Sequence, residues 1–443
     1  MHSKAHSHTS FGMSRNSTDA AFAKMPALLF LISMVLSLFL PAQPAQAQAY
    51  QVIHNFTGGA DGASPFSGLT IDAAGNLYGT AEEGGTQDGV CSRGCGTVFQ
   101  MKPLGSGWVF SLLDIFPRWT YGSNPYGGVI RDAIGNIYGT SANGGRGAGN
   151  VFKLTPSSTV PRSVIAPWTQ NTLYQFNFGA DGKNPYAALT LDAAGNLYGT
   201  TLNGGDAGYG TVFELAPFDG GWAESVIHSF AGGNDGANPY AGVVLDSEGN
   251  LYGTTPYGGA YNCGVVFQLS PSGSDWAETI IHSFRPDDGN GCNPLQGVIL
   301  DTVGNLYGTT NIASGYFNYA TVFELTPSDG RWGFTLLYTI PFPTRPNYSC
   351  YETGAPAGSM AMDGAGNLYG TTQGAGEYGY GSIFKLTQSN GTWNYTTLHN
   401  FQDNGVDGFV PCGGVTLDAS GKLYGTTFRG GPEFYGTVFE ITP

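Results

Sequence analysis

The sequence predicts an all-β fold, a seven-bladed β-propeller with four antiparallel strands per blade. Three observations predict it: a motif repeated seven times, a composition rich in turn formers and aromatics, and two chain ends that complement each other. The motif is D-x-x-G-[N/K]-[L/I]-Y-G-T, with copies beginning at Asp72, Asp132, Asp192, Asp246, Asp301, Asp363 and Asp418, spaced by 60, 60, 54, 55, 62 and 55 residues. Each spacing fits one sheet-sized unit, longer than the roughly 40–50 residues of the common propeller repeats. Glycine supplies 70 of 443 residues and aromatics 13%, against 11% charged residues. That balance suits turn-dense, aromatic-packed strands and leaves no long amphipathic helix.

Residues 1–49 form a class of their own. Lys4, Arg15 and Lys24 precede an apolar run of 14 residues from Ala27 to Leu40, and small residues from Pro41 to Ala49 follow it. That is the layout of a secretory signal peptide, cleaved after Ala47 or Ala49, with Met13 an alternative start. The run is shorter than the ~20 residues a spanning helix needs, so no stable membrane span is expected in the mature chain. Residues 50–443 are then one propeller domain. Losing Lys4, Arg15, Lys24 and Asp19 leaves 14 basic and 31 acidic residues, a net charge of −17 that disfavours nucleic acid and anionic membranes as partners. An exported chain meets an oxidising compartment, so Cys91, Cys95, Cys263, Cys292, Cys350 and Cys412 are expected as disulfides. Cys91–Cys95 follows from proximity, Cys263–Cys292 from loops flanking one blade, and Cys350–Cys412 by elimination.

The third repeat shows the four strands of a unit. Ala188–Leu191 is the first, Asn196–Thr201 the second, Gly210–Leu215 the third and Trp222–Phe230 the fourth. Runs rich in Val, Ile, Thr, Tyr and Phe between Gly, Pro, Asn and Asp are strands. Tight hairpins join first to second and third to fourth; wide loops join second to third and blade to blade, on the opposite face. A Pro stands seven residues before each motif Asp (Pro65, Pro125, Pro185, Pro239, Pro294, Pro356, Pro411), where a strand can begin without losing a ladder bond. The third strand is expected to end at Phe213 and its counterparts. Trp108, Trp168, Trp222, Trp276, Trp332 and Trp393 open the fourth strands, which leaves Trp119 outside the framework. The last repeat stops at Pro443 after its third strand, while Tyr50–Phe56 matches fourth strands such as Val226–Phe230. The N-terminal strand should therefore complete the last blade and remove an exposed edge.

The repeated L-D-A-A-G-N-L-Y-G-T-T-x-x-G-G…G-T-V-F-E-L-x-P resembles that of the choice-of-anchor tandem-repeat GloVer proteins of bacteria, over roughly Tyr50 to Pro443. The resemblance implies an exported, often surface-attached protein with no assigned activity and no catalytic residues to carry over. Many such proteins carry a C-terminal sorting segment; this sequence departs from them in that respect, which leaves covalent or membrane anchoring an open expectation.

Candidate chemistry is sparse. His54, His228, His282 and His399 share one slot, two residues before the final Phe of a fourth strand, with Asp114, Tyr174 and Tyr338 elsewhere. Spread over separate outermost strands, they are not expected to converge on a metal. The motif aspartates offer too few oxygens for calcium and serve as turn caps. Loop carboxylates Asp61, Asp181, Asp235 and Asp407 read first as turn residues; the second reading is an acidic ring near the channel mouth that attracts a cation or basic ligand, in wide loops that vary far more than the tight hairpins. Trp119, beside Arg118 and Tyr121, is a candidate stacking residue in one such loop. No catalytic motif is present, and Arg131 is the single charge in the first strands. The expected protein is a secreted or surface non-catalytic monomer, without cofactor, that binds a protein or glycan through its wide-loop face. The alternative is an extracytoplasmic hydrolase or lyase using the loop carboxylates. Intact mass and N-terminal sequencing of the exported protein should give a start at Gln48 or Tyr50; retention of residues from Met13 onward would remove the leader assignment.

Overall fold

The structure, a computed structural model, describes residues 49–85, 91–116, 122–145, 147–156, 168–311, 319–341 and 356–443, with the side chains of 356 and 357 excepted. All of these lie in the compact unit Gln48–Pro443. It is all-β: seven four-stranded antiparallel sheets arranged as a seven-bladed propeller. Blade 3 is typical, with strands Thr190–Leu191, Leu197–Thr201, Thr211–Phe218 and Gly221–Ser229 paired in that order.

The motif is explained residue by residue in this blade. Asp192 Oδ1 accepts the backbone N–H groups of Ala194 (2.9 Å) and Asn196 (2.8 Å), while its Oδ2 takes the Asn196 side-chain amide at 2.9 Å and the Tyr198 hydroxyl at 3.2 Å. Gly195, at φ 92°, sits where a side chain would be strained. Gly199 lies against an aromatic ring: an added Cβ would stand 2.5 Å from Phe213 Cζ. The Thr200 hydroxyl donates to the Ala241 carbonyl of blade 4 at 2.9 Å. Equivalent bonds run from Thr80 to Gly127, Thr140 to Ala187, Thr254 to Gln296, Thr371 to Gly413 and Thr426 to Ser67, so motif threonines lace six of the seven blades to the next.

Three details differ from the sequence expectation. The first strand is a two-residue ladder, Thr190–Leu191, and the third runs past Phe213 to Phe218 before its hairpin. Of the seven register prolines only Pro356 opens a strand, Pro356–Met362; the other six pack between blades. Pro239 presses on Gly210, where an added Cβ would come within 2.8 Å of its Cδ, and Pro125, Pro185, Pro294, Pro411 and Pro65 do the same to Gly96, Gly149, Gly264, Gly381 and Gly436. The fourth strand carries a bulge: Val212 faces His228 but Phe213 faces Val226, so Ile227 is the extra residue. A bulge bends its strand and re-aims side chains, and here it turns both Ile227 and His228 inward.

Among the described residues, seven apolar clusters lie between neighbouring blades and none within a single blade. Each framework Trp reaches back to the motif Tyr of the preceding blade, as Trp222 does to Tyr138 and Trp276 to Tyr198. Ring closure is as expected: Ala49–Asn55 pairs with Thr437–Thr442, with Tyr50 opposite Ile441 and Val52 opposite Phe439. Across the same seam Trp108 Nε1 donates to Glu440 Oε2 at 3.2 Å.

Cys91–Cys95 and Cys263–Cys292 are disulfides, and no described cysteine is free. Cys412 is disulfide-bonded as well, while Cys350 lies outside the described residues. Among the described residues, no helix is long and apolar enough to cross a membrane. Phe56 is 1% exposed and Val52 and Ile53 are half-buried, so deleting residues 50–56 removes an outer strand and opens one inter-blade core. At roughly 1.5–3 kcal/mol per fully buried apolar side chain, with less for the half-buried pair, the deletion is expected to abolish the cooperative melt. A truncated chain melting within a few degrees of the parent would contradict this role.

Candidate functional site

The central cavity, about 390 Å³, is lined by the first strands and the segments leading into them, and no charged side chain is among its lining residues. Its walls are small at Gly68, Gly128, Ala188 and Gly242 because successive first strands crowd there: an added Cβ on Gly242 would meet the Ala188 carbonyl oxygen at 2.6 Å. At the wide-loop end the residue after the register proline projects a ring on four of the seven blades. Phe66, Tyr126, Tyr186 and Tyr240 form an arc over four consecutive blades, with ring centroids 5.2, 4.7 and 5.9 Å apart. Phe428 extends the arc beside Phe66. Behind it, Glu82 hydrogen-bonds to Tyr126, and burial, then the charge of Glu83, pushes its carboxyl up to about 8 against the pull of Arg429.

A second set of polar groups lies at the rim, where the bulge points each slot residue at the next blade. Four junctions are closed by stacked rings: His54 on Phe110, His282 on Phe334, Tyr338 on Tyr395 and His399 on Tyr50, at centroid distances of 4.2, 4.4, 4.9 and 3.7 Å. At the blade 2/3 junction the Tyr174 hydroxyl donates to Asp181 at 3.1 Å and pairs with Glu224, whose carboxyl is raised to about 7 by burial and by Asp181. At the blade 1/2 junction burial raises Asp114 to about 7. At the blade 3/4 junction His228 Nε2 stands 3.6 Å from Asp235 Oδ2 and 3.5 Å from Glu278 Oε1, too long for good hydrogen bonds. Burial and the Asp235 charge raise Glu278 to about 8, and burial lowers His228 despite Asp235.

Of the two readings of the loop acids, the turn is what the loops build, and an acidic ring at the channel mouth is not. Asp61, Asp181, Asp235 and Asp407 cap their own turns, accepting backbone N–H groups of Thr57, Asn177, Ala231 and Gln402 at 3.0, 2.9, 2.8 and 3.2 Å. Each also reaches the slot residue of the preceding fourth strand, His54, Tyr174, His228 or His399. They therefore sit against the outermost strands, because the chain completes its turn at the rim before crossing inward to the proline. The four histidines stand on separate junctions and do not meet one another. Carboxylates were not part of the expectation for the histidines: His228 gathers Asp235 from its own loop and Glu278 from the next blade. Among the described residues, His228, Asp235 and Glu278 are the set whose ligand atoms, all within 4.8 Å of one another, could hold a metal. Arg118, Trp119 and Tyr121 lie outside the described residues. The aromatic arc was overlooked although its signal was present, an aromatic after four successive register prolines; Glu278 had a weaker signal, two residues after a framework Trp.

The chain matches the Gloeobacter/Verrucomicrobia repeat over residues 41–171, 165–347 and 344–443. No curated protein matches it. Among solved structures it is similar to a protein from Thermus thermophilus described as an oxidoreductase (glucose dehydrogenase), at 14% identity over 89% of this chain and 99% of that one, with a TM-score of 0.38. It is also similar to a protein of unknown function from Dyadobacter fermentans, at 13% identity over 88% and 96% of the two chains, with a TM-score of 0.41.

The buried carboxyl behind the arc makes a prediction about pH. The Glu82 carboxyl holds its proton in the folded chain up to about pH 8, whereas the unfolded chain releases it near the ordinary value of 4.5. The folded state thus binds more protons across that window, and its stability falls as pH rises from 4.5 to 8. Glu82→Gln should flatten this fall in scanning calorimetry. Parallel melting curves for parent and variant would mean that Glu82 is ionised in the fold.

Proposed function

The chain belongs to the Gloeobacter/Verrucomicrobia repeat family, and on that premise we propose that it is an exported, non-catalytic propeller that binds neutral carbohydrate chains through its wide-loop face. The observation that carries this is where aromatic surface is left uncovered. Phe178, Tyr209, Tyr257, Tyr261, Tyr378, Phe434 and Tyr435 are exposed large aromatics of the wide loops, and Phe218 alone of that kind is on the tight-hairpin face among the described residues. Exposed aliphatics such as Leu104, Ile134 and Val303 lie at the tight hairpins, so it is aromatic surface that is concentrated on the wide-loop face, and such a concentration marks an interaction site. Rings that are both exposed and fixed suit stacking against the C–H face of a sugar at little entropic cost. Tyr209 and Tyr435 are fixed in this way, each lying flat on a loop glycine, Gly232 or Gly58, where a Cβ would clash with the ring at 2.5 Å.

The channel mouth supports the same partner. Its arc of Phe66, Tyr126, Tyr186 and Tyr240 supplies ring faces and hydroxyls, and its lining carries no charge to favour an ion. Export is supported by the leader-like residues 1–49 and by the disulfides, which persist in oxidising surroundings. The hydrolase or lyase alternative is weakened because its loop acids are engaged in turn capping at the rim.

A panel of neutral and acidic oligosaccharides, probed with the purified protein, is the test. Tyr126→Ala and Tyr186→Ala, which remove a stacked pair in the arc, should weaken binding about tenfold or more. The corresponding Phe variants should retain most of the affinity. Trp119→Ala probes the loop beyond the described residues. Binding that survives loss of the arc, or no glycan binding alongside recovery of a protein partner, would overturn the carbohydrate assignment. Turnover of an ester, lactone or glycan panel that is lost when Asp61, Asp181, Asp235 and Asp407 become Asn would make the protein an enzyme.

A further inference from the structure

We propose that His228, Asp235 and Glu278 form a binding site for one divalent transition-metal cation, with zinc the best fit, at the junction of blades 3 and 4. The donor set is one imidazole nitrogen and two carboxylate oxygens, a mixture suited to zinc rather than to the all-oxygen shells of calcium or magnesium. In tetrahedral geometry with bonds of ~2.0–2.2 Å, ligand atoms stand roughly 3.3–3.6 Å apart. The His228 Nε2 distances to Glu278 Oε1 and Asp235 Oδ2, 3.5 and 3.6 Å, are already tetrahedral edges. The remaining edge lies within 4.8 Å and closes with a small rotation of one carboxylate.

Two further observations point to a ligand. His54, His228 and His282 all have a solvent-shielded Nε2 with no hydrogen-bond partner, but only at His228 does a second such atom, Glu278 Oε1, face it, a costly arrangement for buried polar atoms. Neither carboxylate has a Lys or Arg in ion-pair contact among the described residues, so no basic side chain offsets the two facing acids. The fold itself does not require this triad. The same slot is closed by an aromatic partner at His54, His282 and His399, and by Tyr174 in place of an imidazole at the neighbouring junction. Among the described residues the blade 3/4 junction alone combines an imidazole with two carboxylates. Three protein ligands leave a fourth position, and side chains 16–20% exposed allow a water to reach it. The cation would also tie blade 3 to blade 4, since Glu278 comes from the later blade.

The test uses the full chain, stripped with a chelator and titrated with Co²⁺ and then Zn²⁺. The parent should bind one equivalent more than Glu278→Gln, show cobalt d–d absorption that Zn²⁺ displaces, and melt higher with zinc than without. Glu278→Gln, Asp235→Asn and His228→Gln should each weaken that equivalent by at least about tenfold, since losing even an outer-shell partner of a metal site costs 10–100-fold. Glu224→Gln, at the neighbouring junction, should bind as the parent does. Melting curves of the stripped variants report whether they fold; should His228→Gln fail, His228→Tyr copies the side chain that the blade 2/3 junction already accommodates. Equal stoichiometry and equal cobalt spectra in parent and Glu278→Gln would overturn the proposal. In that case any bound metal would belong to other groups, such as the histidines at positions 2, 6 and 8.

Discussion

Among the described residues, no blade of this protein has a core of its own. A four-stranded sheet presents two faces, and each apolar cluster is built from the facing sides of two blades. The first blade is therefore as dependent on the seventh as on the second, and the ring holds only when the Ala49–Asn55 strand finishes the last sheet. Closure is thus a condition of the fold, and it also removes the unpaired edges that an open array would expose. The contrast with solenoids is physical: there, end repeats need only a polar cap, whereas here the missing strand would leave an inter-blade core open to water.

Repetition follows from the same requirement. Seven similar junctions demand similar contacts: a motif Gly under a Phe ring on all seven blades and, six times each among the described residues, a Thr reaching the next backbone, a Pro against the previous blade's Gly, and a Trp in the same cluster as the previous motif Tyr. Each uses a small residue where another group approaches closely or a large one where a gap must be filled. Few residues are left over for chemistry, which is why charge is scarce in the strands and concentrates in turns. The motif aspartates illustrate this economy. Burial would raise their carboxyls, but the turn's N–H groups, the Asn amide and the Tyr hydroxyl outweigh it, and Asp72, Asp132 and Asp246 are held below the usual carboxylate range.

Individuality enters at two levels of the ring. At the channel mouth it is the residue after the register proline, which is aromatic on four successive blades and so gives the mouth a sided, ring-lined wall. At the rim it is the slot residue and the residue facing it from the next blade, where stacking aromatics, a tyrosine with two acids, and a histidine with two acids occupy equivalent ground. The backbone is the same at each of these junctions, so the chemistry was free to diverge wherever packing tolerated it. The two levels lie on different strands, innermost and outermost, and can serve separate ligands.

The sequence by itself determined the repeat, the blade count, the strand order, the closing strand and the turn caps. These rest on local spacing and hydrogen-bonding chemistry, which a linear pattern records: an Asp three residues ahead of a Gly, a Phe at fixed distance, a fourth strand present at one end and missing at the other. Cys91–Cys95 and Cys263–Cys292 were legible for the same reason, since loop position follows from strand order. What only the tertiary structure decided is which side chains of different blades meet. His228 and Glu278 are 50 residues apart in the chain, and strict strand alternation would not aim them at each other; the extra residue at Ile227 does. Likewise the loop aspartates were legible as turn residues, but their place at the rim depends on where the chain turns inward, and the arc of Phe66, Tyr126, Tyr186 and Tyr240 exists only once four blades are set side by side. A bulge and a rotation between neighbouring sheets leave little mark on a sequence, and in this protein they bring together every candidate ligand-binding group of the channel mouth and rim.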